Sequence, residues 1–298
     1  VMSCALWSGA AVEGFAEGFD AGTICERVRA GAYSLFMAVP TIYVKLIQYL
    51  ENLEEEQCAS ICGGFAAMRL MVSGSAALPV SIHQQWQALT GQVLLERYGM
   101  TEIGMALSNP YDGERRPGAV GFPLPGVEVQ LVGEEGVVVM GEDQPGEIQV
   151  RGDNVFLEYW QNPAATRDSF TDGWFRTGDM AVRERGYYRI MGRLSVDIIK
   201  SGGYKLSALE IENYLLEHEA IKECAVIGVE DETWGEVVAA AAVLESGSQL
   251  SAAALRDWAQ GRMSSYKIPR RLQIVASLPR NAMGKVTKQA VRELFRGE

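Results

Sequence analysis

The stretch GRLSVDIIKSGGYKLSALEIE, residues 192–212, divides this sequence of 298 residues into two parts with different patterns. Within it, Ser207 stands three residues before Glu210, and this spacing is typical of the capping box that begins a helix. We therefore predict a boundary near Gly192 to Ser195. The part beyond it, 196–298, has roughly the 100 residues of a small independent domain.

The part after the boundary mixes helical and strand-like segments. Predicted helices are the one capped by Ser207, one opened by Ser251 and a last one over Thr287 to Phe295. Predicted strands cover Ala225 to Val229, Val237 to Leu244 and Arg271 to Ala276. These segments predict an α+β fold for this part.

The part before the boundary begins with strands and helices in alternation. Tyr33 to Val39 is predicted as a buried strand that stops at Pro40, and Thr41 to Leu53 as a helix capped by Thr41. Further segments are predicted as strands over 69–72 and 93–96 and as a helix over 80–90. Strands that alternate with helices indicate a parallel α/β layer.

After Pro110 the pattern changes, because glycines and prolines recur and the strands become short. Short strands are predicted over Val127 to Val132, Val137 to Met140 and Glu147 to Val150, followed by a charged hairpin over Met180 to Arg193. This pattern indicates a small β-rich subdomain.

The composition excludes several classes of protein. Hydrophobic residues make up 48% and charged residues 22% of the chain, which fits a globular protein with a sizeable core. The formal net charge of −11 argues against a general nucleic-acid binder. The longest apolar run, around Val237 to Leu244, is far shorter than the roughly 20 residues of a membrane-spanning helix. No signal peptide is visible, although a start at Val1 in mid-pattern hides any targeting segment.

Cysteine and histidine usage limits the chemistry further. The five cysteines are scattered and odd in number, which indicates a reducing compartment rather than a disulfide framework. The two histidines, His83 and His218, leave little for a zinc site or a histidine-based hydrolytic triad.

Basic residues concentrate near the end of the sequence. From Arg262 to Arg296 there are nine lysines or arginines and one acid, Glu293. This run is either a solvated helical face or a landing site for a polyanion such as ATP or coenzyme A.

Two motifs follow predicted strands in the first part. Residues 73–77, SGSAA, are small and allow a ligand close to the backbone, although an ordinary turn has the same composition. Residues 96–102, ERYGMTE, offer in Tyr98 an aromatic face for a base and in Thr101 a hydroxyl for a phosphate. Glu102 adds the hard oxygen that Mg²⁺ prefers. The alternative is a strand-to-loop turn with a surface acid.

Two further motifs lie on either side of the boundary. In WFRTGD, residues 174–179, Asp179 next to a glycine can accept hydrogen bonds from both hydroxyls of a ribose, or it belongs to a plain turn. In PRNAMGK, residues 279–285, Lys285 follows a glycine and can enter a cleft as a point charge, or it is a solvated surface residue.

Together these motifs resemble the adenylate-forming superfamily of acyl-CoA synthetases, luciferases and peptide-synthetase adenylation domains. The resemblance covers essentially the whole sequence and rests on the order of YGMTE (98–102), GEIQVRG (146–152), FRTGD (175–179), the stretch 192–212 and PRNAMGK (279–285). It implies a fold of class α/β and α+β. Residues 1–192 would be the C-terminal portion of the large adenylating domain, 193–195 a hinge, and 196–298 a small mobile C-terminal domain.

The resemblance also implies a role for each motif residue. Backbone groups of Ser75 and Ala76 would line the adenine pocket, and Tyr98 would stack on the base. Thr101 would contact the α-phosphate, and Glu102 would help to hold Mg²⁺.

The resemblance implies further roles in ribose binding, in adenylate formation and in the second step, which depends on a thiol. Asp179 would bind the ribose hydroxyls with Arg193 close to the same sugar. Lys285 would bridge the attacking carboxylate and the α-phosphate. Ser195 occupies the hinge position, and Gly202–Gly203 would border the pantetheine tunnel.

The implied activity is that of an ATP-dependent acid–thiol ligase, which forms an acyl-AMP and then an acyl-CoA thioester from a small carboxylic acid, ATP and coenzyme A. Residues 36–43, 72–79 and 95–102 resemble the malonyl-CoA synthetase branch, whose members occur in the cytoplasm and in mitochondria. Arg97 would then pair with the distal carboxylate of malonate or methylmalonate. An ion pair of Arg97 with Glu96 or another neighbour is the alternative, and Lys45 is a second candidate for the same charge.

The sequence lacks two segments of this family, namely the phosphate loop and a histidine-containing segment before the acyl pocket. The phosphate loop of the family, a Ser/Thr/Gly-rich run ending in Pro-Lys-Gly, is absent, so we expect this chain alone to bind ATP poorly. Two alternatives to a CoA ligase remain: an adenylation enzyme that loads a carrier-protein thiol, and a non-catalytic fragment. No carrier domain follows Phe295, which argues against an enzyme that loads a carrier protein. The retained motif residues argue against a fragment that lost its catalytic function long ago.

Overall fold

A computed structural model describes residues 2–13, 18–133, 136–281 and 285–296 of the chain. Within these ranges the strands form three sheets of five strands each. The mixed α/β and α+β architecture expected from the sequence is confirmed. None of the helices in these ranges is both long and apolar enough to cross a bilayer.

The first sheet contains the strands that were expected to form a parallel layer. In order these are β1 (Leu35–Ala38), β2 (Leu70–Ser73), β3 (Leu95–Met100), β4 (Gly104–Ser108) and β5 (Phe122–Pro123). The strands β1 to β3 are parallel, whereas β3, β4 and β5 pair antiparallel. The parallel register places Ser73 beside Glu96, so the motifs that follow β2 and β3 lie at the same edge of the sheet.

An aromatic cluster packs the helices of this part together. The helices are α1 (Met2–Trp7), α2 (Ala21–Arg29), α3 (Pro40–Glu51), α4 (Glu55–Ala66) and α5 (Val80–Thr90). The buried rings of Tyr43 and Phe65 meet Trp86 edge to face, with centroids 5.3 and 4.9 Å apart. The Tyr43 hydroxyl donates to the Val72 carbonyl at 2.8 Å, which ties the cluster to β2.

The second sheet is antiparallel throughout and confirms the β-rich character predicted after Pro110. Its strands are β6 (Glu128–Val132), β7 (Gly146–Arg151), β8 (Phe170–Thr171), β9 (Trp174–Glu184) and β10 (Tyr187–Arg193), and α6 (Pro163–Asp168) precedes β8. The predicted hairpin over Met180 to Arg193 is formed by the ends of β9 and β10.

The third sheet and its helices follow residue 197. The strands are β11 (Ile198–Ser201), β12 (Tyr204–Ser207), β13 (Ile221–Asp231), β14 (Gly235–Leu244) and β15 (Arg271–Ile274). The helices are α7 (Ala208–Leu215), α8 (Ala252–Ala259) and α9 (Lys288–Glu293), with a 3₁₀ turn at Ser265–Lys267. Ser207 Oγ accepts from the Glu210 N–H and Ser251 Oγ from the Ala254 N–H, both at 3.1 Å, so both predicted caps are confirmed.

Two predictions, for the start of one helix and for one short strand, are wrong. Helix α3 begins at Pro40 with Val39 as its N-cap, so Thr41 lies inside the helix and does not cap it. Proline suits this position because the N–H group of any residue at the start of a helix has no intrahelical acceptor, so nothing is lost when it is missing. Val137 to Met140 form no strand and make one isolated bridge, from Val138 to Val132. Val137, Val138 and Met140 are exposed, so Val139 alone of these four packs against the buried cluster that contains Leu131 and Ile148.

The close packing of α2 against α4 depends on Gly64. A Cβ atom at residue 64 would lie 2.8 Å from the Val28 carbonyl oxygen, and the obstacle is backbone that a side-chain rotation does not clear. Gly63, in the same turn of α4, has open space at the equivalent position. We expect Gly64→Ala to lower the free energy of local unfolding of α4 by roughly 1–3 kcal/mol.

Gly63→Ala is the matched control for that substitution. It should raise the same free energy by about 0.5–1 kcal/mol, since alanine favours a helix over glycine. Native-state amide hydrogen exchange across α4 measures both values. Equal effects of the two alanines would contradict the steric argument.

Candidate active site

Side chains from three strands converge on one carboxylate. The Tyr98 hydroxyl on β3 donates to Asp179 Oδ2 at 2.7 Å, and Arg193 Nε on β10 donates to Asp179 Oδ1 at 3.1 Å. Asp179 itself lies on β9, directly opposite Arg193 in the antiparallel ladder. Residues expected to bind the base and the ribose of one nucleotide are therefore in direct contact.

The backbone at Asp179 is part of a strand and does not form the plain turn that the sequence also allowed. Strand β9 continues through Asp179 to Glu184, and the ladder with β7 shifts register across residues 177–179. Gly178 has a φ of +73°, which glycine adopts without strain. The Thr177 hydroxyl donates to the Ile148 carbonyl at 2.8 Å and accepts from the Asp179 N–H at 3.1 Å, which fixes this bulge. A bulge re-aims the side chains beside it, here that of Asp179.

The segment around Tyr98 is also a strand where the sequence indicated a loop. Strand β3 runs to Met100 and pairs with β4, with a register shift between Tyr98 and Gly99. A Cβ at residue 99 would lie 2.1 Å from the Gly104 carbonyl oxygen, so only glycine allows the two backbones to approach this closely.

Electrostatics keep both donors to Asp179 in their hydrogen-bonding forms. Burial raises the pKa of Tyr98, and the neighbouring Asp179 raises it further, so the phenol stays neutral. The hydrogen bond to Asp179 raises the pKa of Arg193, so the guanidinium stays charged. A carboxylate held by two donors still has lone pairs for further hydroxyl groups, as a ribose would present.

Glu102 and Thr101 lie in the turn between β3 and β4. Thr101 is exposed, and Glu102 is half-buried with Oε1 accepting from the Tyr159 hydroxyl at 3.0 Å. The Glu102 carbonyl accepts from the Phe156 N–H at 2.7 Å. Tyr159 was missed in the sequence, since nothing local connects it with a glutamate 57 positions earlier.

Lys285 lies at the motif that follows β2, although 210 residues separate them. Its Nζ donates to the Ser75 carbonyl oxygen at 3.2 Å, and Ser75 has a φ of +68°. Ser75 and Ala76 are exposed, as an accessible pocket wall requires. The Lys285 N–H donates to Asn281 Oδ1 at 3.0 Å and the Lys285 carbonyl accepts from the Asn281 N–H at 2.9 Å, so the backbone at Lys285 is anchored. Residues 282–284 of PRNAMGK lie outside the described residues.

Arg97 lies on β3 in the same part of the first sheet, and its guanidinium reaches residues of β1 and β4. Its guanidinium contacts the thioether sulfurs of Met105 at 2.7 Å and of Met37 at 3.2 Å. A Cβ at Gly74 would lie 3.3 Å from Arg97 Cζ, so the small residue makes room for the guanidinium. Thioether sulfur is a weak hydrogen-bond acceptor. Lys45, the second candidate, is exposed, and its Nζ lies 5.4 Å from the centroid of the Phe19 ring.

The predicted hinge and the glycine pair beyond it are both accessible. Ser195 is exposed in the turn between β10 and β11. Gly202 and Gly203 have φ values of +54° and +84° in the β11–β12 turn. A Cβ at residue 202 would lie 2.8 Å from the Trp234 ring, and the Gly202 N–H donates to the Trp234 carbonyl at 2.9 Å. Trp234 was not singled out in the sequence.

Two family models match the chain. One, described as AMP-binding enzyme, matches residues 1–160, and the other, described as AMP-binding enzyme C-terminal domain, matches residues 210–285. The chain belongs to the AMP-binding enzyme family.

Relatives within the AMP-binding family are considerably longer than this chain. The mitochondrial malonate–CoA ligase of Bos taurus is 47% identical in an alignment that covers 99% of this chain and 55% of the bovine protein. The malonate–CoA ligase of Arabidopsis thaliana is 47% identical over 272 residues, covering 87% of this chain and 44% of the plant protein. This chain therefore spans about half the length of the curated relatives that it matches.

A solved structure within the family has the same fold. ATP-bound MatB from Rhodopseudomonas palustris is similar with a TM-score of 0.85 and 38% sequence identity, over 95% of this chain and 55% of that one. The anthranilate CoA ligase AuaEII in complex with anthranoyl-AMP gives a TM-score of 0.82 at 30% identity.

Much of the basic run near the C-terminus is engaged within the fold of this family member. Lys267 pairs with Glu210 and Lys288 with Glu212, while the Arg280 guanidinium binds Glu223. Further basic residues lie over tryptophan rings, namely Arg262 over Trp258 and Arg270 over Trp234. For these residues the structure favours a structural role over a landing site for a polyanion.

A buried acid and a buried histidine lie beneath the YGMTE motif of this AMP-binding chain. His83 Nε2 lies 3.1 Å from the Leu94 carbonyl oxygen, and because a carbonyl only accepts, Nε2 carries the hydrogen. His83 Nδ1 then faces Glu96 Oε1 at 4.0 Å, and the same oxygen accepts from the Gly118 N–H at 2.9 Å. Burial raises the pKa of Glu96 to about 8 and lowers the pKa of His83. Both side chains are therefore mainly neutral at pH 7.

Glu96→Gln should flatten the pH dependence of stability above neutrality. The pKa of Glu96 rises on folding from 4.5 to about 8, so its contribution to stability is complete at low pH and is lost as the pH rises through 8. At about 1.36 kcal/mol per pKa unit, wild type should lose about 2 kcal/mol relative to Glu96→Gln between roughly pH 6.5 and pH 9. Urea unfolding at a series of pH values measures this difference.

The pH range and the control isolate Glu96. The pKa of His83 is lowered from 6.5, so its own effect on stability, a loss as the pH falls, is confined to lower pH. Glu217→Gln removes one exposed carboxyl group and should keep the wild-type profile. Parallel profiles for wild type and Glu96→Gln would mean that Glu96 is already ionised at neutral pH.

Proposed function

We propose that the protein to which this chain belongs, here called the parent protein, is an ATP-dependent ligase that joins malonate or methylmalonate to coenzyme A. The observation that carries the proposal is the contact of Lys285 Nζ with the Ser75 carbonyl, at the sheet edge that also holds Arg97. The AMP-binding family and the malonate–CoA ligases among the relatives support the same reaction.

The first half-reaction joins two anions. A carboxylate oxygen of the acid attacks the α-phosphorus of ATP, the bond to the pyrophosphate oxygen breaks, and acyl-AMP and pyrophosphate form. Lys285 carries a positive charge to the place where the two anions meet, and its three N–H donors can contact both. Thr101, exposed in the adjacent turn, supplies a hydroxyl to the α-phosphate.

The nucleotide is held by the residues around Asp179. The adenine packs against the Tyr98 ring and the backbone at Ser75 and Ala76, and the ribose hydroxyls donate to Asp179. Arg193 keeps the Asp179 carboxylate in place from the other side. The Tyr98 hydroxyl also binds Asp179, so the ring and the ribose acceptor are fixed relative to each other before the nucleotide arrives.

Mg²⁺ fits the donor at the end of β3. The Glu102 carboxylate is a hard oxygen ligand whose orientation is fixed by the Tyr159 hydroxyl. When bound, Mg²⁺ would supply positive charge to offset the phosphates. In this proposal the phosphate loop belongs to the part of the parent protein that the longer relatives have in addition.

The second half-reaction requires a different arrangement of the same chain. The thiol of coenzyme A attacks the acyl carbonyl carbon, the bond to AMP breaks, and a thioester forms. A lysine at the α-phosphate obstructs this approach, so residues 196–298 rotate about the hinge 193–195 relative to 1–192. The exposed glycines 202 and 203 then border the thiol-bearing arm of coenzyme A. We propose the mitochondrial matrix or the cytoplasm as the location of this reaction, and the mitochondrial malonate–CoA ligases among the relatives support the first.

Arg97 is the proposed ligand of the distal carboxylate of the acid. One charge-assisted hydrogen bond contributes roughly 1.5–3 kcal/mol, so we expect Arg97→Met to lower kcat/KM for malonate by about 10- to 150-fold. Activity with butyrate, which has no second carboxylate, should change little. The measurement is CoA-dependent AMP release by the full-length parent protein with each acid.

Lys45→Met tests the second candidate under the same conditions. It should leave the preference for malonate over butyrate unchanged, because Lys45 Nζ lies over the Phe19 ring. A wild-type parent protein without CoA-dependent AMP release on any acid would refute the ligase proposal. Equal rates on malonate and butyrate would refute the role of Arg97 alone.

Lys285→Met should separate the two half-reactions. Loss of one donor of this kind costs about 2.7–4 kcal/mol, so adenylate formation should slow by roughly 100- to 1,000-fold. Conversion of supplied acyl-AMP to the thioester should continue near the wild-type rate. Pyrophosphate release and thioester formation are measured separately, with Lys222→Met as an exposed-lysine control. Equal losses in both steps would contradict a role confined to the first.

A further inference from the structure

The turn that contains Ser195 is closed by three hydrogen bonds. The N–H groups of Val196 and Asp197 donate to the Arg193 carbonyl at 3.1 and 2.8 Å. The Arg193 N–H donates to Asp197 Oδ2 at 3.0 Å. All three bonds span Ser195, so a large rotation about its backbone torsions cannot preserve them together.

Gly192 permits the approach of Asp197 to this turn. Its φ is +118°, and a Cβ at residue 192 would lie 2.3 Å from Asp197 Cβ. The Asp197 carbonyl accepts from the Ala208 N–H at 2.8 Å, which fixes the backbone of Asp197 to the start of α7. One carboxylate oxygen is thus directed back at Arg193, and the other is directed into the third-sheet part of the chain.

The second oxygen of Asp197 faces a mostly buried lysine. Lys288 Nζ lies 3.7 Å from Asp197 Oδ1, donates to Glu212 Oε1, and donates to the Val226 carbonyl at 2.7 Å. The side chains of Lys288, Glu212 and Asp197 are 12%, 15% and 17% exposed, so their charges are weakly screened by solvent. Burial raises the pKa of Glu212, and the nearby Lys288 opposes that shift.

Lys288 also begins the helix that follows Lys285. It is the first residue of α9, three positions after Lys285, and the Thr287 N–H donates to the Pro279 carbonyl at 2.9 Å. With the pairing of Asn281 and Lys285, these bonds hold the segment on both sides of Lys285. The ammonium of Lys288 therefore links the turn at residues 193–197 to the segment that carries Lys285.

We propose that Asp197 is a positioning residue for the first half-reaction. Anchored by Lys288, its carboxylate latches the turn at residues 193–197 in the arrangement that brings Lys285 to Ser75. Rotation toward thioester formation then has to release the bond between the Arg193 N–H and Asp197. This inference rests on the proposed function and adds to it a residue that touches neither substrate.

Asp197→Asn tests the latch with little change in shape. The amide keeps one oxygen for the Arg193 N–H but removes the charge that faces Lys288. We expect adenylate formation by the full-length parent protein to fall by roughly tenfold, the effect of one lost charge-assisted bond. Thioester formation from supplied acyl-AMP should change by less than about twofold or become faster, because the latch is absent from that arrangement.

Lys288 variants test the anchor. Lys288→Arg keeps the charge and should retain most of the activity in adenylate formation. Lys288→Met leaves Glu212 buried without its cation and risks misfolding, so Lys288→Met combined with Glu212→Gln removes both charges together. That double variant should fold and show the same selective loss as Asp197→Asn.

A measurement on this chain alone separates the latch from the proposed function. Amide exchange of Arg193, whose N–H binds Asp197, should become roughly tenfold faster in Asp197→Asn. The Ala254 amide, capped by Ser251, should be unaffected and serves as an internal control. Faster exchange in a parent protein that ligates no acid would support the latch and refute the proposed function.

Two results would overturn the inference. One is an equal fall of both half-reactions in Asp197→Asn, which indicates general loss of structure. The other is unchanged adenylate formation together with unchanged exchange of the Arg193 amide. Wild-type rates in the Lys288→Met, Glu212→Gln double variant would overturn the anchoring role of Lys288.

Discussion

The carboxylate of Asp179 is the point at which three parts of this chain meet. Tyr98 brings the first sheet to it, β9 of the second sheet carries it, and Arg193 connects it with the strand that leads out of this region. Burial keeps Tyr98 neutral, and the hydrogen bond with Asp179 keeps Arg193 charged, so both interactions persist around neutral pH. The position of the turn at residues 193–197 therefore depends on the same carboxylate that is proposed to bind the ribose.

Local spacing predicted those features whose causes lie within a few residues. The caps at Ser207 and Ser251 follow from single hydroxyl groups three positions before the N–H groups that they accept from. Contacts between residues that are distant in the sequence could not be predicted from local spacing. Tyr159 reaches Glu102, and Trp234 packs on Gly202, through tertiary contacts that no local pattern encodes.

Glycines caused the main errors in predicting the strands. Gly99 and Gly178 are typical of turns, so the sequence favoured a strand that ends before Tyr98 and allowed a plain turn at Asp179. In the structure both glycines lie within strands at register shifts, where they allow close backbone approach or a positive φ. A sequence shows that glycine is needed at a position, but a turn and a bulge require it for the same reason.

The distribution of positive charge gives a reason why the lysine proposed for the first half-reaction would lie on a separate segment. Arg193 is paired with Asp179, and Lys288 with Glu212, so the nearby carboxylates offset the charges of both cations. Lys285 Nζ donates to a neutral carbonyl at Ser75, which orients the ammonium without offsetting its charge. A cation in that state attracts an incoming anion strongly, and for the same reason it would hold AMP after the acyl-adenylate has formed. In the proposed reaction, withdrawal of the whole segment would solve both problems, because the charge would be present for the attack and distant when AMP has to leave.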